Sequence, residues 1–268
     1  MTCNLYSYFL NRYFAYFKGR VCCVPTLCES SFKLFVSSIH EHMRYQTVNT
    51  KEPEMLDWLK NCRNLYGSDD FCFFDIGANV GLYSLYLASY NKNCSIYAFE
   101  PESSNYYSLN KNVSINCFTN IKPLLCGLSS TDSFLDLHVS ILESGAGASS
   151  LGSDYRHTDN SKYNIHKQPV LSLRLDSTLD YSYFKFPNFI KIDVDGHEDL
   201  IIDGGSRVLS DPRLLSIIIE FEYKSTSEEA LFIDKITSFG FALNSKSSWV
   251  DKGLVAGVNI QNYIFNRV

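Results

Sequence analysis

The sequence predicts an α/β fold: a mostly parallel sheet with an antiparallel edge strand, flanked by helices, with an inserted β-hairpin and an N-terminal helical extension. Three observations predict it. From Phe71 onward, short apolar runs alternate with stretches of helical spacing, as in a sheet built from strand–helix–strand crossovers. The run "FFDIGANVGLYSLYLA" (73–88) passes from a buried strand through a glycine-rich turn into a helix. A second junction, "FIKIDVDGHEDLIIDGGSRVL", gathers acids at the end of another apolar strand.

Taken in chain order, residues 1–66 read as a helical extension, with "EPEMLDWLKNCRNLYG" ending at Gly67 as a C-cap. Its first part, "MTCNLYSYFLNRYFAYFKGRVCCVP", carries Arg12, Lys18 and Arg20 among aromatics and no acid. No apolar stretch there reaches the ~18 residues of a membrane span. It reads as a helix packed on the domain's flank, with peripheral membrane contact as the alternative. The main domain, 67–268, takes strands at 71–76, 95–99, 121–126, 189–194 and 214–221, and helices near 80–90, 103–116, 198–210 and 227–239. Strands near 241–244 and 261–267 pair antiparallel at the edge. Within the insertion at 127–187, "DSFLDLHVSI" and "QPVLSLRLDS" alternate with period two and form a hairpin. Its long polar tip, "ESGAGASSLGSDYRHTDNSKYNIHK", is expected beside the cofactor as a substrate lid.

Composition sets limits on function. With 268 residues, 45% hydrophobic and 15% aromatic, the chain can build one core with extensions. A net charge of −5 argues against a general nucleic-acid surface. The nine cysteines include no C-x-x-C pair, and Cys72, Cys94 and Cys126 lie in apolar segments. They read as small buried hydrophobes in a reducing, cytoplasmic setting, and no spacing indicates a structural metal. The sequons at Asn93 and Asn112 fall in expected core elements and read as chance.

The turn after the first strand carries the chemistry. Gly77 and Gly81 bracket a junction whose helix N-terminus points above the strand ends. The spacing is D-x-G-x-N-x-G, neither the G-x-G-x-x-G of dinucleotide sites nor a phosphate loop. A carboxylate in the turn is unfavourable beside a pyrophosphate and favourable beside a cation. S-adenosylmethionine, with its sulfonium and α-amino group, fits better than NAD. Glu100, 25 residues after Asp75 at the tip of the next strand, can accept both ribose hydroxyls of either ligand.

At the second junction Asp193, Asp195, His197 and Glu198 gather at a strand end, and Glu220 ends the next strand. Such a cluster faces a cleft, a metal or a partner. His197 or Asp193 is the expected base for a hydroxyl, with Glu220 in reserve. A divalent metal could replace the base, but no spacing demands one. Two competing readings are a nicotinamide-dependent oxidoreductase and a non-catalytic binding module that keeps the fold.

Four blocks, "FFDIGANVGLYSLYLA", "YAFEPESSNYYSLNKNVSIN", "RLDSTLD" and "IKIDVDGHEDLIIDGG", together resemble the FkbM-type methyltransferases in order and spacing. The resemblance covers about 71–223. It implies a class I, Rossmann-like methyltransferase that uses S-adenosylmethionine, commonly for O-methylation of sugars or secondary metabolites, so a small-molecule or glycan acceptor. It places Asp75, Gly77, Asn79 and Gly81 at the methionine end, Glu100 at the ribose, and Cys126 and Gly127 in the adenine region. Ala78, Tyr83, Ser84, Pro101 and Asp193 are expected to bind the cofactor as well. The family often carries Glu where this chain has Asp195.

Overall fold

In the computed structural model, residues 16–147, 149–152, 166–247, 251–252 and 258–268 are described. The central strand Cys72–Ile76 (β3) is buried along its whole length. Its alternate side chains feed two cores: Phe73 joins one, while Cys72, Phe74 and Ile76 join the other. β3 pairs in parallel with Ser95–Phe99 (β4) and with Phe189–Ile192 (β10). Ile121–Leu124 (β5) extends the parallel sheet beyond β4, and Ser216–Tyr223 (β11) extends it beyond β10. Asn259–Arg267 (β14) lies antiparallel on β11, and Phe241–Lys246 (β12) and the short Asp251–Lys252 (β13) lie antiparallel on β14. The antiparallel strand therefore sits one place in from the edge, and not at the edge as expected. Edge strand β12 runs in the common direction.

The face holding Phe73 packs Leu82–Tyr90 (α3) and, from Ser103–Ile115 (α4), Leu109. The other face packs Glu198–Asp203 (α5), Ser206–Ser210 (α6) and Thr226–Thr237 (α7). The single helix expected at 198–210 is two short ones. At the break, a Cβ on Gly204 would lie 2.2 Å from the Ser129 carbonyl oxygen. Asp176, from the "RLDSTLD" block, caps α6 by accepting from the Arg207 and Val208 amides at 3.0 and 2.9 Å.

The N-terminal segment corrects the helical expectation for 1–66. Arg20–Pro25 (β1) and Ser31–Val36 (β2) form an antiparallel hairpin, followed by helices Ile39–Thr47 (α1) and Pro53–Tyr66 (α2). The reason lies in period two: Val24, Phe32 and Leu34 are buried while their neighbours face out. The hairpin and α2 share the core that holds Phe73, and Trp58 Nε1 donates to Ser216 Oγ at 2.9 Å. The basic aromatic stretch proposed for membrane contact lies largely at 1–15, outside the described residues. No helix among the described residues is long and apolar enough to cross a membrane.

The insertion holds the expected antiparallel pair, Ser133–Val139 (β7) and His166–Arg174 (β9). Gly127–Ser129 (β6) and Ser149–Leu151 (β8) widen it to a separate four-stranded sheet. Most of the tip, 153–165, lies outside the described residues.

Candidate active site

At the carboxyl ends of β3, β4, β10 and β11 lies one cavity, and the turn after β3 forms its floor. Gly77 has φ +76°, and a Cβ there would sit 1.9 Å from the Asp193 carbonyl oxygen, so only glycine lets the turn lie against the end of β10. Asn79 also takes a left-handed conformation (φ 52°). Its amide donates to Glu100 Oε2 at 2.7 Å, and its Nδ2 donates to the Ala146 carbonyl at 2.9 Å. The Glu102 amide donates to the other oxygen of Glu100 at 2.8 Å. Burial pushes Glu100 up to about 7 despite these two bonds.

Asp75 does not line the cavity. It is fully buried behind the turn, where it meets Lys191, its register partner on β10. Lys191 Nζ lies 3.1 Å from Asp75 Oδ1 and 3.3 Å from Asp193 Oδ2, and it donates to the Gly77 carbonyl at 3.2 Å. Ser84 Oγ donates to Asp75 Oδ2 at 2.6 Å. Burial alone would lower the Lys191 pKa, but Asp75 and Asp193 outweigh it and hold the ammonium above its ordinary value. The sequence reading missed Lys191, although a lysine inside a four-residue apolar strand is itself a signal that a buried acid faces it.

The other end of the cavity is rich in acids. Asp193, Asp195, His197 and Glu220 all line it. Burial would raise the Asp193 carboxyl, but Lys191, Lys51 and Arg44 hold it below the usual aspartate range. Glu220 is pushed well above the carboxylate range, first by burial and then by Asp193, Glu52 and Asp195. Asp195 is in the left-handed region (φ 58°) and His197 occupies the N-cap position of α5. Among the described residues, no group of three or more His, Cys, Asp or Glu is arranged to hold a metal ion.

The N-terminal segment forms a wall of this cavity, through Arg44, Thr47 and Val48 at the end of α1 and Lys51 and Glu52 before α2. Buried Glu52 pairs with Lys51 at 2.6 Å and accepts from the Tyr83 hydroxyl. Residues 143–147 of the insertion run as a strap between α1, α4 and the first turn, and Ala146 and Gly147 line the cavity. The Ser144 hydroxyl donates to Glu41 Oε1 at 2.8 Å, and Ser38 Oγ donates to the Ser144 carbonyl. The Gly145 amide donates to Asn105 Oδ1 at 2.7 Å, and its carbonyl accepts from Arg44 Nε at 2.7 Å. α1, α4 and the first turn thus all hold one loop.

Of the residues singled out from sequence, Gly77, Asn79, Tyr83, Glu100, Pro101, Cys126, Gly127, Asp193, His197 and Glu220 come together around the cavity. Asp75, Ala78, Gly81 and Ser84 lie behind its wall. Gly81 starts α3 at φ +87°, and a Cβ there would strike Leu109 Cδ1 at 2.4 Å. Arg44, Lys51 and Glu52 were missed because the groups they meet, Gly145, Asp193 and Tyr83, are remote in sequence; residues 143–147 begin the tip that was expected beside the cofactor.

A mostly parallel sheet with an acid at the second strand tip is a Rossmann-like frame suited to an adenosine-type ligand, and the acids around the fourth and fifth strands line the same cavity. The model of the methyltransferase FkbM domain matches residues 75–244, and the chain belongs to that family. It is 42% identical over 64 residues to Methyltransferase sdnD of Sordaria araneosa, covering 24% of this chain and 25% of that protein. It is 26% identical over 149 residues to Methyltransferase 1 of Beauveria bassiana (strain ARSEF 2860), covering 51% of this chain and 59% of that one. The chain thus spans a quarter and about three fifths of the lengths of these curated relatives. Among solved structures, it is similar to a precorrin-6y C5,15-methyltransferase from Geobacter metallireducens GS-15 (TM-score 0.46, 13% identity, 82% and 89% of the two chains). It is also similar to M. jannaschii TYW2 in complex with AdoMet (TM-score 0.42, 15% identity, 94% and 88%).

The cofactor of the family is S-adenosylmethionine, and the donor set of the cavity fits it. Each Glu100 oxygen takes one backbone amide and keeps a lone pair for a hydroxyl. The acids at the far end suit a sulfonium and an ammonium, while apolar Leu128, Leu137 and Leu151 accompany Cys126 and Gly127.

Proposed function

We propose that the chain transfers the methyl group of S-adenosylmethionine to a hydroxyl of a small molecule, on a sugar, a glycan or a secondary metabolite. The observation that carries this reading is one cavity holding both a ribose-type acceptor, Glu100, and a set of proton acceptors, Asp193, His197 and Glu220. When bound, the cofactor supplies an electrophilic methyl on a positively charged sulfur. The protein's part is to align the acceptor, exclude water and take one proton as the new C–O bond forms. The strap over residues 143–147 serves the second task.

For the third, Asp193 is already committed to Lys191 at 3.3 Å. Burial, and then the charges of Asp193, Glu52 and Asp195, raise the proton affinity of Glu220 well above that of an ordinary carboxylate, which favours it as the proton acceptor. His197, on the same wall, is the second candidate. Calorimetric titration with S-adenosylhomocysteine and with NADH tests the reading; binding of NADH alone would replace it with the oxidoreductase reading. Transfer of labelled methyl to a panel of glycans and hydroxylated metabolites then identifies the acceptor. Glu220→Gln should lower turnover by about 10²–10⁴-fold and remove the acid limb of the pH–rate profile, with S-adenosylhomocysteine affinity kept. If His197→Ala removes that limb and Glu220→Gln does not, His197 is the base.

A further inference from the structure

The carboxylates lining the cavity, Glu52, Glu100, Glu102, Asp193, Asp195 and Glu220, suit cationic and hydroxyl groups and repel an anion. Two cationic side chains, Arg44 and Lys51, interrupt this acidic lining. Both lie outside residues 75–244, the part of the chain that the family model matches. Both are oriented by the protein and neither is used up by it. Among the described residues, Arg44 lines the cavity and donates through Nε to the Gly145 carbonyl at 2.7 Å, a bond that does not engage its two Nη groups. Lys51 meets Glu52 Oε1 at 2.6 Å and has two further N–H donors. Their place along the cavity is set by their neighbours. Lys51 pairs with Glu52, Glu52 accepts from Tyr83, and the Tyr83 ring lies 5.5 Å from Lys191 Nζ, which meets Asp193. Arg44 is tied to Gly145, whose neighbour Ala146 accepts from Asn79, so both cations stand on the side of the first turn and β10.

We infer that Arg44 and Lys51 form a carboxylate clamp, contributed by the N-terminal segment, that holds the α-carboxylate of the methionine portion of the cofactor. The inference rests on the methyltransferase reading above and adds the residues that recognise the amino-acid end. S-adenosylmethionine carries one anionic group, and placing it unpaired among carboxylates would be repulsive and costly in desolvation. An Arg offering its two Nη groups beside a Lys is the side-chain set that accommodates a carboxylate. The neighbouring acids are left to the ammonium and the sulfonium. The clamp also explains why the strap and α1 are tied through Arg44: closing the loop and aiming the guanidinium are one arrangement.

The test is calorimetric and uses the full chain with two probes, S-adenosylhomocysteine and 5′-methylthioadenosine. The second keeps the adenosine and the sulfur but lacks the amino-acid end. Arg44→Gln and Lys51→Gln should each weaken S-adenosylhomocysteine by roughly 10- to 100-fold, the size of a lost charge-assisted bond. Their affinity for 5′-methylthioadenosine should stay within about twofold of the parent, which also shows that the variants are folded. Arg44→Lys, keeping the charge without the fork, should fall between the parent and Arg44→Gln. Equal loss of both probes would mean that the residues only hold the strap, and the inference would be overturned. Unchanged S-adenosylhomocysteine affinity with a raised KM for the methyl acceptor would overturn it too, and would assign the cations to an acidic acceptor. A parent protein that binds neither probe would instead defeat the methyltransferase reading itself.

Discussion

Replacing Asp75 with asparagine is expected to destabilise the fold before it affects any ligand. The substitution keeps the shape of the side chain and an acceptor for Ser84 Oγ, but removes the charge 3.1 Å from Lys191 Nζ. Lys191 is 1% exposed and cannot turn to water; it keeps only Asp193 at 3.3 Å and the Gly77 carbonyl at 3.2 Å. Breaking a buried ion pair from one side costs about 3–5 kcal/mol. With Asp193 still in reach, the lower end applies, about 3 kcal/mol, against a total stability of about 5–15 kcal/mol. At a urea slope of about 3 kcal/mol/M, the midpoint should fall by about 1 M. The partner change Lys191→Met should be costly as well, since it leaves Asp75 buried without its cation. The double variant should recover most of the loss, because two neutral side chains of similar volume need no compensation.

Equilibrium urea unfolding of the four proteins, followed by circular dichroism, closes the cycle; a coupling of about 2 kcal/mol or more is expected. The pH of the assay follows from the sign of the shift. The Lys191 pKa is raised on folding, so its contribution is complete below the ordinary lysine value near 10.4 and fades only as pH rises through the higher folded value. Measurements at pH 7–8 therefore see all of it. An Asp75→Asn protein that unfolds within about 0.5 kcal/mol of the parent yet fails to bind S-adenosylhomocysteine would refute the argument, and would return Asp75 to the ligand.

Two further outcomes are expected. Glu100 is pushed up to about 7, and ribose hydroxyls favour its ionised form, so binding should release a proton. S-adenosylhomocysteine affinity should then rise by up to about tenfold per pH unit below 7 and flatten above it, and Glu100→Gln should abolish this slope; proton release is read by calorimetry in buffers of different ionisation heat. Gly77→Ala should lower the melting temperature by several degrees and weaken S-adenosylhomocysteine at least about tenfold, since its Cβ would need the space 1.9 Å from the Asp193 carbonyl. Normal binding by Gly77→Ala would show that the turn can move away from β10.

What the sequence made legible was local. The alternation of strand and helix, the turn at Gly77–Gly81 and the acid at Glu100 each lie within one continuous stretch, and spacing alone expresses them. What stayed hidden depends on cross-strand neighbours. Asp75 and Lys191 are opposite each other only once β3 and β10 pair, so an acid two residues before a glycine looked like a ligand-facing group. The same holds for β14, whose insertion between β11 and β12 is a matter of strand order that no local pattern states. The hairpin at 20–36 did carry a period-two signal, but the aromatic and basic residues before it suggested a helix that would continue through it.

The largest gap between sequence and site concerns the N-terminal segment, and it has a physical reason. A helix such as α1 has a buried side and a ligand side, and its sequence reports the first far more clearly than the second. Glu41 is fully buried because it completes the capping box at Ser38 and accepts from Ser144, so it reads as a charge on a solvated helix until the strap is in place. Gly145 meets α1 so closely that a Cβ there would lie 2.8 Å from the Glu41 amide nitrogen, which fixes the insertion against the N-terminal segment. The cavity is thus closed by two pieces that lie outside the strand–turn–helix units carrying the recognisable motifs. Those units supply Glu100, Asp193 and Glu220, while the added pieces supply Arg44, Lys51 and the strap. The two groups are not independent, because the N-terminal hairpin and α2 share the core that holds Phe73 and Trp58 bonds to Ser216 on β11, so a change in that segment reaches the sheet as well as the cavity wall.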